Sequence, residues 1–280
     1  MTQDIGTTHI ISVANQKGGV GKTTTAVNLA TAMAAIRKKV LVIDLDAQGN
    51  ASTGLGLSPS QRQVGTYHVL TEGLPVSDVV QATEIPGLFV LPSSVDLSGA
   101  ELELAHLDGR EYILKSSLEG LQGQYDYIFI DCPPALSLLT INAMTASTGV
   151  LVPLQCEYYA LEGLSHLIRT IDRIKSRFNP QLDIFGVLLT MFDRRNNLSQ
   201  QVALDVRNYF GDDVFKAVIP RNVRISEAPS HGKPVLLYDH RCVGSTAYLS
   251  LAKEILKRDK REKAGKVPDS KHNVRQKEAA

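Results

Sequence analysis

The stretch NQKGGVGKTTT, residues 15 to 25, restricts the fold of this chain more than any other feature. It follows the apolar run THIISVAN (8–15) and precedes a stretch with helical spacing from Thr24 to Ile36. A glycine-rich turn between a strand and a helix brings backbone N–H groups close to phosphate oxygens, and a helix N-terminus favours negative charge. The stretch therefore predicts a nucleotide-phosphate site inside an α/β fold.

Individual positions of this loop have separate predicted roles. Lys22 is expected to reach the β- and γ-phosphates, the Thr23 hydroxyl to ligate Mg²⁺, and Thr24 to bond an α-phosphate oxygen. The rest of the predicted nucleotide site is backbone, supplied by Gly18, Gly19, Val20 and Gly21. The loop departs from the usual pattern at Gln16, which occupies the place of the first glycine, and it carries an additional lysine, Lys17.

Acidic residues follow two of the other apolar runs. Asp131 ends YIFID (127–131), and an aspartate at the carboxyl end of a buried strand faces the ligand crevice of an open α/β sheet. We therefore expect Asp131 to hold the magnesium shell. Asp44 and Asp46 end a second run, and residues two apart in a strand share a face. One of these two is expected to act on the attacking water and the other, more plausibly Asp44, to fix a turn.

Short apolar runs alternate with helix-like stretches along the chain, as in a parallel sheet whose strands are buried on both faces. The predicted fold is α/β, a mostly parallel twisted sheet with helices on both faces. Strands are expected at 8–15, 39–46, 88–93, 125–131, 148–154, 182–190 and 214–219. Helices are expected at about 24–36, 97–121, 136–147, 157–177, 197–210 and 250–258.

The charge distribution suggests one folded domain and a tail. The 280 residues carry a formal net charge of +1, but residues 257–280 alone carry +5 and residues 1–256 carry −4. We expect a single domain over 1–258 and a charged, disordered tail over 259–280. The three cysteines lack a CxxC pair, and the polar start does not resemble a signal peptide, so a reducing cytoplasm is expected.

Five segments in a fixed order resemble one family. KGGVGKTT (17–24), DLDAQGN (44–50), FIDCPP (129–134), LLTMFD (188–193) and IPRNVRISEAPSHGKPV (219–235) together resemble the ParA/Soj partition ATPases, within the MinD/ParA class of deviant-Walker P-loop proteins. The resemblance spans about residues 8–258. One departure is Ala47, which stands where the family commonly has proline; it removes no functional group.

The resemblance implies a mechanism and assigns residues to it. Lys17 resembles the signature lysine that reaches a partner subunit's phosphates in an ATP-dependent homodimer, with Gly18 where the two loops approach. Asp46 matches the water-activating aspartate and Asp131 the magnesium-linked acid. Met191 and Pro220 match segments that border adenine. ATP and Mg²⁺ are the implied cofactors, with Lys17, Lys22 and Asp46 as the catalytic set.

The family also implies partners. These are non-specific DNA and a ParB-type centromere-binding protein that stimulates hydrolysis, in the cytoplasm and on the nucleoid. Arg195 and Arg224 are the foremost DNA-contact residues, followed by Arg221 and Lys233. Repeating a few arginines on both halves of a dimer makes DNA affinity depend on both salt and dimerisation. The basic tail is a second candidate for DNA contact.

The main alternative is a MinD-like ATPase that cycles on membranes. That function needs a C-terminal amphipathic helix with an exposed apolar face. The apolar positions of the last predicted helix are instead expected to pack on the domain, and the chain then becomes polar. No membrane association is therefore expected. A further alternative, an iron–sulfur carrier of the same class, would need paired cysteines, which this sequence lacks.

Overall fold

The computed structural model describes residues 7–263, and its centre is a seven-stranded sheet. The strands are β1 His9–Val13, β2 Val40–Asp44, β3 Gln81–Ala82, β4 Leu88–Leu91, β5 Tyr127–Asp131, β6 Gly149–Gln155 and β7 Asp183–Thr190. Their order is β3-β4-β2-β5-β1-β6-β7, and every pairing is parallel except that of β3 with β4. The predicted fold class is confirmed.

Twelve α-helices in the described part of the chain accompany the sheet. They are α1 Lys22–Ala35, α2 Asn50–Gly54, α3 Thr66–Thr71, α4 Val76–Val79, α5 Leu97–Leu104, α6 Ile113–Leu118, α7 Leu138–Ala146, α8 Ala160–Arg177, α9 Asn197–Phe210, α10 Val223–Glu227, α11 Val235–Tyr238 and α12 Val243–Lys263.

Both faces of the sheet are buried, each under its own apolar layer. Ile10 and Ile128 belong to one layer, while their chain neighbours Ile11 and Phe129 belong to the other. Successive strand residues point to opposite faces, which explains why these strands are apolar nearly throughout. Residues of α7 and α8 pack in the first layer and residues of α1 and α12 in the second.

The predicted strand at 214–219 is wrong. This segment lies beside β7, and Phe215 N donates to Val187 O, but it forms only an isolated bridge there instead of a ladder. The backbone N–H groups of Lys216 and Ala217 donate instead to the carboxylate of Glu254 in α12, each at 2.9 Å. The segment donates to β7 again only from Ile219 N to Leu189 O at 2.9 Å, so four of its residues span two residues of β7 and no ladder forms.

Two predicted helix boundaries also change. The helix expected over 97–121 divides into α5 and α6, with Gly109 at φ +70° and a short 3₁₀ turn between them. The last helix runs through Lys263, past the predicted domain boundary at 258. Asp259 is buried and accepts a hydrogen bond from Tyr127, and residues 264–280 of the predicted tail lie outside the described part.

The apolar positions of α12 face the domain. Tyr248, Leu251, Ala252 and Ile255 are buried in the second layer, as expected from the sequence. Within residues 7–263, no helix combines the length and the apolar character needed to cross a bilayer.

Candidate nucleotide site

The glycine-rich loop joins β1 to α1 and has the backbone that a phosphate cradle needs. Gly19 and Gly21 adopt φ of +75° and +89°, a region that side chains other than glycine's rarely adopt. A Cβ placed on Gly18 or Gly19 would meet no atom within 4 Å, so the space above them is open. Since α1 begins at Lys22, its first free N–H groups face that space.

Distant parts of the chain hold the loop in place. The Asn15 amide donates to Pro153 O at 2.8 Å and accepts from Lys17 N at 3.0 Å. The Thr190 hydroxyl donates to Val20 O at 2.8 Å, which fixes the loop to the end of β7. Gln16, at the place of the first glycine, donates to the Thr170 hydroxyl in α8 at 3.2 Å. The loop is therefore rigid at both sides of its glycines.

Lys22 lies beneath the loop and is almost fully buried. Its Nζ donates to Lys17 O at 3.3 Å. Burial lowers its pKa, and the nearby Asp131, Cys132 and Asp46 oppose that shift. A buried ammonium that points back at its own loop has the position and charge to contact a bound phosphate chain.

Asp131 ends β5 directly opposite Asp44 at the end of β2. Its side chain is fully buried, and neither carboxylate oxygen has a hydrogen-bond partner within residues 7–263. Burial and then the Asp44 charge raise the pKa of Asp131 well above its usual range, while the Thr23 hydroxyl and Lys22 oppose the shift. An orphaned buried carboxylate beside a hydroxyl fits a site that takes up a cation.

The fit to Mg²⁺ depends on a bound phosphate chain. Within residues 7–263, no group of three or more His, Cys, Asp or Glu side chains could hold a metal alone. Mg²⁺ commonly uses one or two protein oxygens and completes its shell with water and phosphate oxygens. Thr23 and Asp131 supply the protein oxygens that such a shell requires.

Asp44 and Asp46 differ in burial and in hydrogen bonding. Asp44 is fully buried and accepts from Ser52 N at 2.8 Å and Ser52 Oγ at 2.6 Å, so it fixes the start of α2. Burial raises the pKa of Asp44 to about 6 against the opposing effect of these bonds. Asp46 is half-buried, and among the described residues its carboxylate accepts only from the backbone of Gln48, at 3.0 Å. Asp46 is therefore the acid free to act on a ligand.

Lys17 extends from the exposed side of the loop. Its ammonium donates to the carboxylate of Glu157, which follows β6. Both side chains remain more than two-fifths exposed. Exposed Tyr158 and Tyr159 continue the same surface beyond Glu157. Lys17 therefore lies on the outer face and does not turn into its own phosphate cradle.

Met191 and Pro220 lie at the other end of the loop. Met191 has φ +48°, and its Cε is 3.9 Å from a Cβ placed on Gly21. Phe192 pairs with Pro220 in an isolated bridge, which brings the two predicted adenine-side residues together. A non-glycine residue at positive φ is uncommon and often marks a functional position.

The four predicted DNA-contact residues are exposed, but two are already ion-paired within the chain. Arg195 pairs with Asp193 at 3.2 Å, and Arg224 pairs with Glu227 at 2.9 Å. Arg221 and Lys233 have no such pair among the described residues. The Arg221 backbone donates to Phe192 O, which places this arginine beside the 191–195 segment.

Sequence reasoning missed several residues that shape this site: Asn15, Ser52, Glu157 and Thr190. Glu157 had a usable signal, because it follows the carboxyl end of a parallel strand as Asp131 does. Asn15 and Thr190 act through contacts more than 130 residues away in sequence, for which no local pattern exists.

Known proteins resemble this chain over most of its length. Residues 8–184 match a family model described as an AAA domain. The chain is 58% identical over 254 residues to the chromosome partitioning protein ParA of Caulobacter vibrioides, covering 90% of this chain and 95% of that protein. It is 54% identical over 246 residues to the sporulation initiation inhibitor protein Soj of Bacillus subtilis, covering 88% and 97%.

A solved structure shows the same architecture with ligands. The cobyrinic acid a,c-diamide synthase of Mycobacterium smegmatis, with a bound ATP analogue and magnesium, has a TM-score of 0.80 and 37% identity. The match covers 93% of this chain and 98% of that one.

Proposed function

This chain belongs to the ParA/Soj family of chromosome-partitioning ATPases, and from that premise we propose that it is an ATP-dependent DNA-binding dimer. ATP-Mg²⁺ binding joins two copies, the dimer binds DNA without sequence preference, and a ParB-type partner stimulates hydrolysis. The orphaned carboxylate of Asp131 below an open glycine loop is the observation that carries the nucleotide part of this proposal.

Bound Mg²⁺ would neutralise phosphate charge and orient the reacting group. Thr23 and Asp131 hold it, directly or through water. Lys22 and the loop N–H groups bind phosphate oxygens, and Thr24 contributes a hydroxyl. Asp46, the less buried acid, orients or activates the attacking water. Met191 and Pro220 border the base.

The outward position of Lys17 supports a role across a dimer interface. A lysine from the opposite subunit would neutralise part of the charge on ATP, as an arginine finger does in other systems. Lys17 must leave Glu157 to do so. Because Gly18 and Gly19 are open and lack side chains, two such loops can approach closely.

DNA binding is assigned to Arg195, Arg221, Arg224 and Lys233; of these, Arg221 directly follows the base-side residue Pro220, and its N–H donates to Phe192 O. Residues 1–256 carry −4, so one copy has little general attraction for DNA. Two copies double the number of basic contacts. This explains why DNA binding would require the ATP-bound dimer.

The proposal is tested by ATP hydrolysis measured for the protein alone, with DNA, with a ParB-type protein of the same organism, and with both. We expect slow turnover alone and the largest rate with both. A rate that DNA and partner leave unchanged would contradict the proposal. Vesicle co-sedimentation that depends on ATP would instead support the membrane-cycling alternative.

A further inference from the structure

Residues 63–109 form the most acidic stretch of the chain. They contain seven Asp and Glu residues and no Lys or Arg. This stretch builds α3, α4, α5 and the sheet edge formed by β3 and β4. None of the seven acids has an ion pair with a cation among the described residues. This edge of the molecule therefore carries seven negative charges, with Lys39 at its border, where Nζ lies 5.5 Å from the Phe89 ring centroid in β4.

The outer face of α5 adds exposed apolar side chains to this negative edge. Val95, just before the helix, is 75% exposed, and Leu102 is 78% exposed. They are seven residues apart and so share one helix face. Asp96 and Glu103 form a second row immediately beside them. We call these four residues the α5 face: an exposed apolar row next to an exposed acidic row, in which the Glu103 carboxylate accepts from the Tyr67 hydroxyl at 3.0 and 3.2 Å.

The α5 face is connected to the nucleotide site. Ser93, two residues before Val95, donates its N–H to Ser52 Oγ at 3.0 Å, and that hydroxyl donates to Asp44 at 2.6 Å. Glu101 of α5 accepts from Leu139 N at the start of α7, which follows Asp131. α5 and the residues before it are therefore bonded to Ser52, which holds Asp44, and to the helix that follows Asp131.

We propose that the α5 face is the docking surface for a basic segment that carries apolar side chains, supplied by the partner that stimulates hydrolysis. The inference rests on the proposed function for the identity of that partner. The apolar row supplies contact area and the acidic row selects Lys and Arg. Arg110, the nearest cation along the chain, donates to Ala105 O at the carboxyl end of α5 and pairs with Glu111, so it borders this face but forms no ion pair with Asp96 or Glu103 among the described residues.

The first test uses surface variants of the full chain with a ParB-type protein of the same organism. Leu102→Ser, and separately Asp96→Lys with Glu103→Lys, should each weaken partner binding about tenfold. Leu204→Ser alters an exposed leucine on α9, and Asp78→Lys with Glu84→Lys alters the same charge outside α5. These controls should bind as the wild type does. As the salt concentration rises, the affinity for the partner should fall more steeply for the wild type than for the variant with Asp96→Lys and Glu103→Lys.

A second test locates the contact itself. Leu102→p-benzoylphenylalanine, irradiated with the purified partner and ATP, should cross-link to a peptide rich in Lys and Arg. The same photoreactive residue at Leu204 should not. Cross-linking to an acidic or uncharged segment, or equal yields at both positions, would overturn the docking surface.

The two proposals fail in different ways. If the wild type neither dimerises nor binds DNA with ATP, the proposed function fails. If it does both, and the α5-face variants are still stimulated as the wild type is, the docking surface alone is wrong. The docking proposal holds if those variants keep ATP-dependent DNA retention and lose stimulation by the partner.

Discussion

Lys17 and Glu157 form an ion pair within one chain, although the family resemblance assigns Lys17 to the partner's phosphates. The pair joins the nucleotide loop to the start of the segment after β6. An exposed pair of this kind contributes about 0.2–1 kcal/mol. It holds Lys17 weakly enough that ATP on an approaching subunit can compete for it.

Removing the charge of Glu157 and removing that of Lys17 should change ATP-dependent dimerisation in opposite directions. Glu157→Gln frees Lys17 and should lower the ATP concentration at half-maximal dimerisation by up to about fivefold. Lys17→Ala should retain nucleotide binding and lose the ATP dimer. Light scattering across an ATP titration measures both. Equal dimerisation by wild type and both variants would show that Lys17 does not act across the interface.

Lys22→Ala should abolish nucleotide binding. Lys22 is the buried cation under the loop, and its removal leaves Asp131 and Asp46 without their nearest positive charge. Isothermal titration with ATP-Mg²⁺ checks this, and circular dichroism controls for folding. ATP affinity within about twofold of the wild type would be incompatible with the assigned role.

Asp46→Ala should trap an ATP-bound dimer with turnover reduced about 100-fold or more, the range expected for loss of a general base. Binding should persist, because Asp46 makes no side-chain contact that holds the loop. Single-turnover hydrolysis and sizing of the same sample measure the two effects. Asp44→Ala is the comparison: it removes the acceptor for Ser52 and should destabilise the fold.

Asp131→Asn should stabilise the nucleotide-free protein at neutral pH by about 1–2 kcal/mol. The pKa of Asp131 is raised in the folded state, so the wild type loses stability as pH rises above the unfolded-state pKa. The asparagine variant lacks this loss. Melting curves taken from about pH 7.5 down to about pH 4, near the unfolded-state pKa of an aspartate, should therefore converge. A constant difference across that range would contradict the buried charge.

Arg195→Glu with Arg224→Glu should keep ATP dimers and lose DNA binding. Both arginines are paired within the chain, so Arg221→Glu, which breaks no such pair, is the informative companion. Arg221→Glu should weaken DNA binding at least as much as Arg195→Glu alone or Arg224→Glu alone. DNA retention equal to wild type would move the interface to the basic tail.

The phosphate site was predictable because its signals are local. The loop, its helix and the strand-end acids Asp131 and Asp46 each follow from a few neighbouring residues. The structural use of Asp44 was also expected, and the action of Asp46 on the attacking water stays a prediction. The family resemblance pointed to Lys17, but the sequence did not indicate Glu157 as its partner, 140 residues away.

The predicted and observed strands differ for two reasons. Residues 214–219 have the apolar content of a strand, but Glu254 in α12 takes two of their N–H groups. β3 has only two residues, too few for a recognisable pattern. The first error comes from a contact 37 and 38 residues away in sequence, which composition does not reveal, and the second from the shortness of β3, which pairs with the nearby β4.

The dependence of DNA binding on an ATP-bound dimer is tested by retention on immobilised DNA of arbitrary sequence. Retention is measured with ATP-Mg²⁺, with ADP-Mg²⁺ and without nucleotide. We expect retention only with ATP, by a species of twice the monomer mass, and loss of that retention at high salt. Equal retention in all three states, or retention of a monomer, would contradict it.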